Sequence, residues 1–279
     1  IMPSLVGSEM CIRDRVEDMG TKAIFFDIDG TLWDEKFQIP ESTKKAFEML
    51  KNNGHLTFIC SGRTLSYIQD ERLLALGFDG IVAGCGTYVE KAGEVLFYKR
   101  IEEEVLERTL KILKPYHYPV VLEGREYLYV DEDTFADDPF LKVLQATVAD
   151  RLRPITGNEH RLEASKLSID IRGRECKGVL DRLSKDYDII YHGTDFVELV
   201  PGNFSKATGI EKTCECLQIA HEDTYAFGDS MNDYDMIHYV QHGIVMGNGL
   251  DEVKAVADYV TSDLHKDGIY NGLHHFGLI

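Results

Sequence analysis

Along this chain, short continuous apolar runs alternate with segments whose apolar positions recur every three or four residues. The first run, Ala23-Ile24-Phe25-Phe26, carries β-branched and aromatic side chains without polar alternation, which predicts a central strand covered on both faces. A helix is expected over 41–51, opened by Pro40-Glu41-Ser42-Thr43, striped by Ala46, Phe47 and Leu50, and closed by Asn52-Asn53-Gly54. A second apolar run over 56–60 ends in Ser61-Gly62-Arg63, and a helix over 64–76 followed by a strand over 80–83 repeats the unit. Strand, helix and strand in this succession predict a parallel sheet with crossover helices.

From about residue 88 the pattern changes. Strand-like runs over 88–90 and 95–99, a helix over 101–116, a strand pair over 120–123 and 126–130 hinged at Gly124, and a helix over 139–152 come first. A strand over 166–171, a helix over 175–187 and strands over 189–192 and 196–199 follow. Paired strands segregated from helices predict an α+β insert. After Pro201 the parallel pattern returns, with helices over 206–217, 233–239 and 251–257 and strands over 224–227, 243–246 and 259–260. The expected organisation is one sheet domain built from 19–86 and 193–279 around an inserted unit, 87–192. Glycines suggest that the unit hinges near 84–86 and 192–193.

Composition narrows the class. At 279 residues there is room for two domains, and 44% hydrophobic with 28% charged residues is ordinary for a soluble globular protein. No window approaches the ~20 apolar residues of a membrane span. A formal net charge of -18 argues against nucleic acid or an anionic membrane surface as general partners. The six cysteines include no Cys-x-x-Cys pair, and Cys214 and Cys216 diverge on their helix, so reduced thiols in a cytoplasm are expected. Residues 1–15 (IMPSLVGSEMCIRDR) resemble the translation of a sequencing adaptor, which makes 1–18 an expected non-native or disordered tail and Met19 the natural start.

The chemistry sits where apolar runs stop. Asp27 and Asp29 close the first run, and buried carboxylates need a partner for their charge. In open α/β sheets ligands bind at the carboxyl ends of the strands, and a hard divalent cation suits two acids there. Asp27 is therefore a candidate nucleophile. Ser61-Gly62 offers a hydroxyl and exposed backbone N–H groups to phosphate oxygens. Lys206 starts a helix, where a cation opposes the dipole unless an anion is bound. Gly228-Asp229-Ser230-Met231-Asn232-Asp233 adds two carboxylates and an amide after another apolar strand. Singly, Ser61 reads as a helix cap, Lys206 as a surface lysine and Asp233 as an N-cap; together, in order at strand ends, they read as one site.

The ordered set Asp27-x-Asp29-Gly-Thr, Ser61, Lys206 and Gly-Asp229-x-x-Asn232-Asp233 resembles the four motifs of the haloacid dehalogenase (HAD) superfamily phosphatases. The long insert between Ser61 and Lys206 resembles the C2B cap of the Cof-type branch, subfamily IIB. The resemblance implies an α/β fold, a Rossmann-like parallel-sheet core with an inserted α+β C2B cap. It also implies hydrolysis of a small phosphorylated metabolite, of sugar phosphate, flavin-precursor or pyridoxal phosphate type, through an aspartyl-phosphate on Asp27, with Asp29 as acid and base. Mg²⁺ would be held by Asp27, the backbone carbonyl of Asp29, and Asp229, with Asp233 tying down that shell or Lys206. Ile28, Ser61, Gly62, Lys206 and Asn232 would surround the phosphoryl oxygens. A phosphomutase using the same nucleophile and a catalytically silent phosphate-sensing or partner-binding protein are the rivals.

Two positions depart from the family pattern: Ala207 follows Lys206 where glycine is common, and Cys85-Gly86 stands where Asn-Gly is common. Arg63 is expected to pair with an acid and His274-His275 to lie on the surface, while Trp33 and Asp34 are candidates to line the cleft under the cap, with packing at a domain junction the commoner place for a Trp. Glu123, Arg125, Tyr127 and Lys166 are the candidate cleft-facing residues of the cap.

Overall fold

Ala23–Phe26 lies at the centre of an eight-stranded sheet, between Thr224–Gly228 and Leu56–Cys60 and parallel to both. All four of its residues are buried, as a continuous apolar run requires. The computed structural model describes residues 20–135 and 139–279, so the expected tail, 1–18, lies outside the described residues. Across the sheet the order is Tyr259–Val260, His242–Val245, Thr224–Gly228, Ala23–Phe26, Leu56–Cys60, Gly80–Ala83, Tyr88–Lys91 and Glu94–Tyr98, the first six parallel and the last two antiparallel.

Because successive strand side chains point to opposite faces, Ile24 and Phe26 pack with Phe47, Leu50 and Leu273 on one side, and Ala23 and Phe25 with Phe58, Ile210 and Met236 on the other. Helices Glu41–Asn52 and Gly268–His275 cover the first face. Lys206–Leu217 and Tyr234–Tyr239 cover the second.

A second sheet has the order Tyr187–His192, Phe196–Pro201, Lys166–Asp170, Val120–Glu123, Leu128–Val130 and Leu152–Pro154. It is antiparallel apart from its last pair. Helices Glu103–Leu113 and Lys177–Leu183 pack on one face through Leu106, Leu113, Val179 and Leu180, and Pro139–Val148 on the other through Leu144 and Val148.

Sheet membership moves both expected domain boundaries. Tyr88–Lys91 turns back at 84–87 and pairs antiparallel with Gly80–Ala83, so the hairpin to Tyr98 extends the core sheet. Phe196–Pro201 pairs with Tyr187–His192 and Lys166–Asp170, so it belongs to the insert. The glycines at 84–86 and 193 lie in turns inside the two sheets, and the chain passes from one sheet to the other at 99–102 and 202–205. The expected helix over 64–76 breaks into Leu65–Tyr67 and Glu71–Leu74. Thr64 and Ser66 bond each other, Ser66 Oγ bonds the Gly124 carbonyl, and Asp70 caps a fresh turn.

Candidate active site

Three strand ends and one helix start converge on a single carboxylate. Asp27 follows the central strand, its N–H donating to the Phe227 carbonyl at 2.9 Å, and its side chain is 5% exposed. Lys206 opens its helix under a capping box in which Ser205 and Thr208 bond each other's backbone. Its ammonium reaches Asp27 Oδ1 at 2.5 Å, Asp233 Oδ1 at 2.5 Å and Asn232 Oδ1 at 3.2 Å, entirely out of solvent. The other oxygen of Asp233 accepts from the N–H groups of Asp229 and Ser230, both at 2.9 Å, which folds the loop after Thr224–Gly228 back on itself. Asp229 Oδ1 accepts from Thr31 Oγ1 at 2.8 Å. Gly30 has φ +86°, and a Cβ there would meet Asp229 Oδ2 at 2.4 Å, so only glycine lets the two loops close.

Carboxylate oxygens of Asp27, Asp229 and Asp233 all lie within 4.8 Å of one another. Burial raises the Asp27 carboxyl well above its usual range, and the Asp233 charge adds to this against the pull of Lys206. Burial and then Asp233 push Asp229 up to about 7. Burial acts downward on Lys206, but Asp233 and Asp27 outweigh it and hold the ammonium above its ordinary value. Burial is the first cause for both carboxyls, and the crowding of acids around a single ammonium adds to it. The donor set is all oxygen and carries excess negative charge, as sites for metal cations do.

The Asp29 carboxylate is turned away from this cluster. Arg63 grips it with Nε to Oδ2 at 2.7 Å and Nη2 to Oδ1 at 2.8 Å, and Trp33 Nε1 donates to Oδ1 at 2.8 Å. The guanidinium also lies 5.6 Å from the ring centres of both Trp33 and Tyr67. The acid that Arg63 meets is thus a candidate catalytic residue. Asp27 and Asp229, two of the expected metal ligands, share the acidic cluster with Asp233, expected to tie down that shell or Lys206, while the ligand expected from Asp29 is its backbone carbonyl rather than this carboxylate. Ser61 is buried, its Oγ accepting from Arg63 N at 3.2 Å, and a Cβ on Gly62 would sit 3.4 Å from Asn232 Nδ2. The Ile28 side chain lies in the core, which leaves only its main chain for the site.

Neither family departure disturbs the helix entry. Ala207 is accommodated, while Gly209 and Gly86 meet: a Cβ on Gly86 would sit 2.1 Å from the Ser205 carbonyl oxygen, and one on Gly209 2.7 Å from Gly86 Cα. Cys85 is buried beside Glu198, with Sγ 3.7 Å from Oε2.

Above Asp27 and Ser61 lies a cavity of about 360 Å³, roofed from the second sheet by Glu123, Lys166, Ser168, His192 and Glu198. Lys166 Nζ stands 2.6 Å from Glu198 Oε1 and 3.4 Å from Glu123 Oε1. Ser168 Oγ donates to Glu123, and His192 Nε2 is 3.5 Å from Glu198 Oε2. Burial acts upward on Glu198, but Lys166 and His192 bring it down to about 2, so it is a carboxylate at neutral pH; burial leaves Glu123 raised. Glu123 and Lys166 line the cavity as expected from the sequence, whereas Arg125 and Tyr127 line a different one. Ser168, His192 and Glu198 were not singled out. The signal for them was polar residues at every second position of strands otherwise apolar, Lys166-Leu167-Ser168 and Val197-Glu198-Leu199.

Residues 24–273 match the family model described as haloacid dehalogenase-like hydrolase. The chain is 34% identical over 273 residues to "Putative phosphatase YkrA" of Bacillus subtilis (strain 168), covering 94% of this chain and 100% of that one. It is 28% identical over 269 residues to the HMP-PP phosphatase of Yersinia pseudotuberculosis serotype O:1b (strain IP 31758), covering 90% and 93%. Among solved structures, the HAD subclass IIB sugar phosphatase BT4131 superposes with a TM-score of 0.79 at 28% identity, over 93% of this chain and 100% of that one. Among the described residues no helix is long and apolar enough to cross a membrane.

Proposed function

The chain belongs to the haloacid dehalogenase-like hydrolase family, and we propose that it is a Mg²⁺-dependent phosphatase that hydrolyses small phosphorylated metabolites through an aspartyl-phosphate on Asp27. One observation carries this reading: a buried carboxylate at the end of the central strand, held 2.5 Å from a buried ammonium, beneath a cavity of metabolite size.

In the first half-reaction an Asp27 oxygen attacks phosphorus, the P–O bond to the leaving group breaks, and Asp29 supplies the proton that the leaving oxygen takes. In the second, water attacks the same phosphorus, Asp29 takes its proton, and the Asp27–phosphorus bond breaks to give inorganic phosphate. Lys206, Asn232, Ser61 and the backbone of Ile28 and Gly62 would hold the phosphoryl oxygens, where preorganised positive and N–H groups lower the barrier most. Arg63 fixes the resting position of Asp29, which must leave the guanidinium to reach a leaving oxygen. Asp27, Asp229 and the Asp29 carbonyl would hold the cation, with Asp233 fixing Lys206 and the loop. The surplus of carboxylate over ammonium among these residues suits a dication and the all-oxygen donor set suits Mg²⁺. When bound, it offsets the phosphate charge and polarises the phosphoryl oxygens.

The test is phosphate release over a panel of phosphate monoesters. With Mg²⁺ at least one ester should be turned over, and chelation by EDTA should lower the rate by about two orders of magnitude or more, reversibly. Isomer interconversion without phosphate release would select the phosphomutase instead. Activity unchanged in EDTA would remove the metal from the reading.

The roof limits what the leaving group can be. Glu198 is a carboxylate there, between Lys166 and His192, so the end of the substrate remote from phosphate meets anionic oxygen and should bring hydrogen-bond donors or a cation. Glucosamine 6-phosphate and glucose 6-phosphate differ at one position, an ammonium against a hydroxyl. The amine is expected to show a kcat/KM about 5-fold higher, on the order of the 1 kcal/mol at the upper end for one solvent-accessible charge pair. Glu198→Gln should bring the two together; equal values in the parent enzyme would refute the preference.

A further inference from the structure

Gly124, the residue after roof residue Glu123, lines a second cavity of about 310 Å³ that shares no lining residue with the first. Arg125, Arg153 and Arg161 converge on it, with Tyr127, Tyr129 and Asn158. Three guanidiniums in one small cavity repel each other, and in a chain of net charge -18 acids are plentiful enough to have paired them. They are scarcely paired. Among the described residues, the Arg125 side chain has one ion pair, with Glu126 at 4.0 Å. Arg153 donates Nη1 to the Leu152 carbonyl at 2.7 Å and lies 4.5 Å over the Tyr127 ring. Among the described residues, the Arg161 side chain has neither an ion pair nor a hydrogen bond. Glu163, the other acid of the lining, has its Oε1 engaged by the Tyr98 hydroxyl at 2.5 Å.

We propose that this cavity is a second binding site, for the phosphoryl group of a small metabolite, and that its occupancy acts on the catalytic cavity through the Glu123–Gly124 turn. Guanidinium forks match phosphate oxygens in pairs, Asn158 adds an amide, and the Tyr127 and Tyr129 rings offer an apolar wall to whatever the phosphate carries. The turn has little freedom to absorb a pull. Its N–H at Gly124 donates to the Tyr127 carbonyl at 3.0 Å, the Gly124 carbonyl accepts from Ser66 Oγ of the core at 2.8 Å, and a Cβ at Gly124 would meet the Glu163 carbonyl oxygen at 2.3 Å. An anion drawing Arg125 and Tyr127 inward therefore tightens a turn whose first residue is Glu123. That residue is itself bonded to the core by Thr64 Oγ1 at 3.3 Å.

The experiment is calorimetric titration of the full chain, in Mg²⁺, with inorganic phosphate and separately with phenylphosphonate, a non-hydrolysable aromatic ester mimic. Two sites per chain are expected, and one in the Arg153→Gln/Arg161→Gln variant. A loss confined to phenylphosphonate identifies a ring-bearing metabolite as the ligand; an equal loss for both identifies free phosphate. Binding of phenylphosphonate in the catalytic cavity competes with substrate and leaves kcat unchanged, so a change of about 2-fold or more in kcat, absent from the double variant, reports the second site. One site in the parent protein, or two undiminished sites in the variant, would overturn the proposal, and an unaltered kcat would overturn the coupling. Arg161→Gln alone changes an exposed side chain and serves if the double variant does not fold, with a loss of about 3- to 10-fold in affinity expected.

Discussion

Replacing Asp27 with Asn is expected to abolish phosphate release, by at least on the order of 10³-fold in kcat, while leaving the fold intact. The amide has the shape of the carboxylate and its oxygen can still accept from Lys206, but it offers no anionic oxygen to phosphorus. The same change should raise the melting temperature of the metal-free protein. Asp27 is raised above its unfolded value near 3.8, chiefly by burial and then by Asp233. Its charged form therefore destabilises the fold, by an amount absent below the unfolded value and growing as pH rises through the folded one. The gain in Asp27→Asn should accordingly shrink on acidification towards pH 4. Phosphate release and thermal melts at two pH values check both halves. Activity within tenfold of the parent would remove Asp27 as nucleophile, whatever the melts show.

What the sequence disclosed follows from where each signal is local. The central strand is a continuous apolar run because both its faces are covered, and Asp27, Ser61, Lys206 and Asp229 stand at ends of such elements. Their convergence is then a consequence of parallel topology. The sheet that the hairpin Tyr88–Tyr98 joins is not legible in the sequence, because an antiparallel edge strand on a parallel sheet carries no mark of which sheet it extends. Phe196–Pro201 was given to the core since its hairpin partner, not its own composition, decides its sheet. Helix Gly268–His275 carries little helical signal in the sequence because glycine at 268 and 272 weakens the pattern. Gly272 is there for packing, since a Cβ would meet Phe227 Cε1 at 2.6 Å. The direction of the Asp29 side chain was not legible at all. It depends on a grip from Arg63, 34 positions away along the chain, and on Trp33.

The second large effect is expected at Lys206, a residue whose surroundings leave it no neutral substitute. Lys206→Met fills the same channel with an unbranched apolar chain but leaves Asp27 and Asp233 facing each other with no cation between them. Removing one partner of a buried ion pair typically costs about 3 to 5 kcal/mol, because the remaining charge is neither solvated nor paired. For a chain of this size that is a fall in melting temperature of roughly 6 to 20 °C. Turnover should disappear as well, since the ammonium that would meet the phosphoryl oxygens is gone. Two comparisons separate the causes. Lys206→Met/Asp233→Asn removes one of the stranded carboxylates, so it should recover part of the lost stability and none of the activity. Mg²⁺ should also stabilise Lys206→Met more than it stabilises the parent, since the cation then supplies the only positive charge among the buried acids. A melting temperature within about 2 °C of the parent in metal-free buffer would mean that the carboxylates do not need the ammonium. The division of labour proposed for Lys206, holding Asp27 and Asp233 before the phosphate arrives, would then fail.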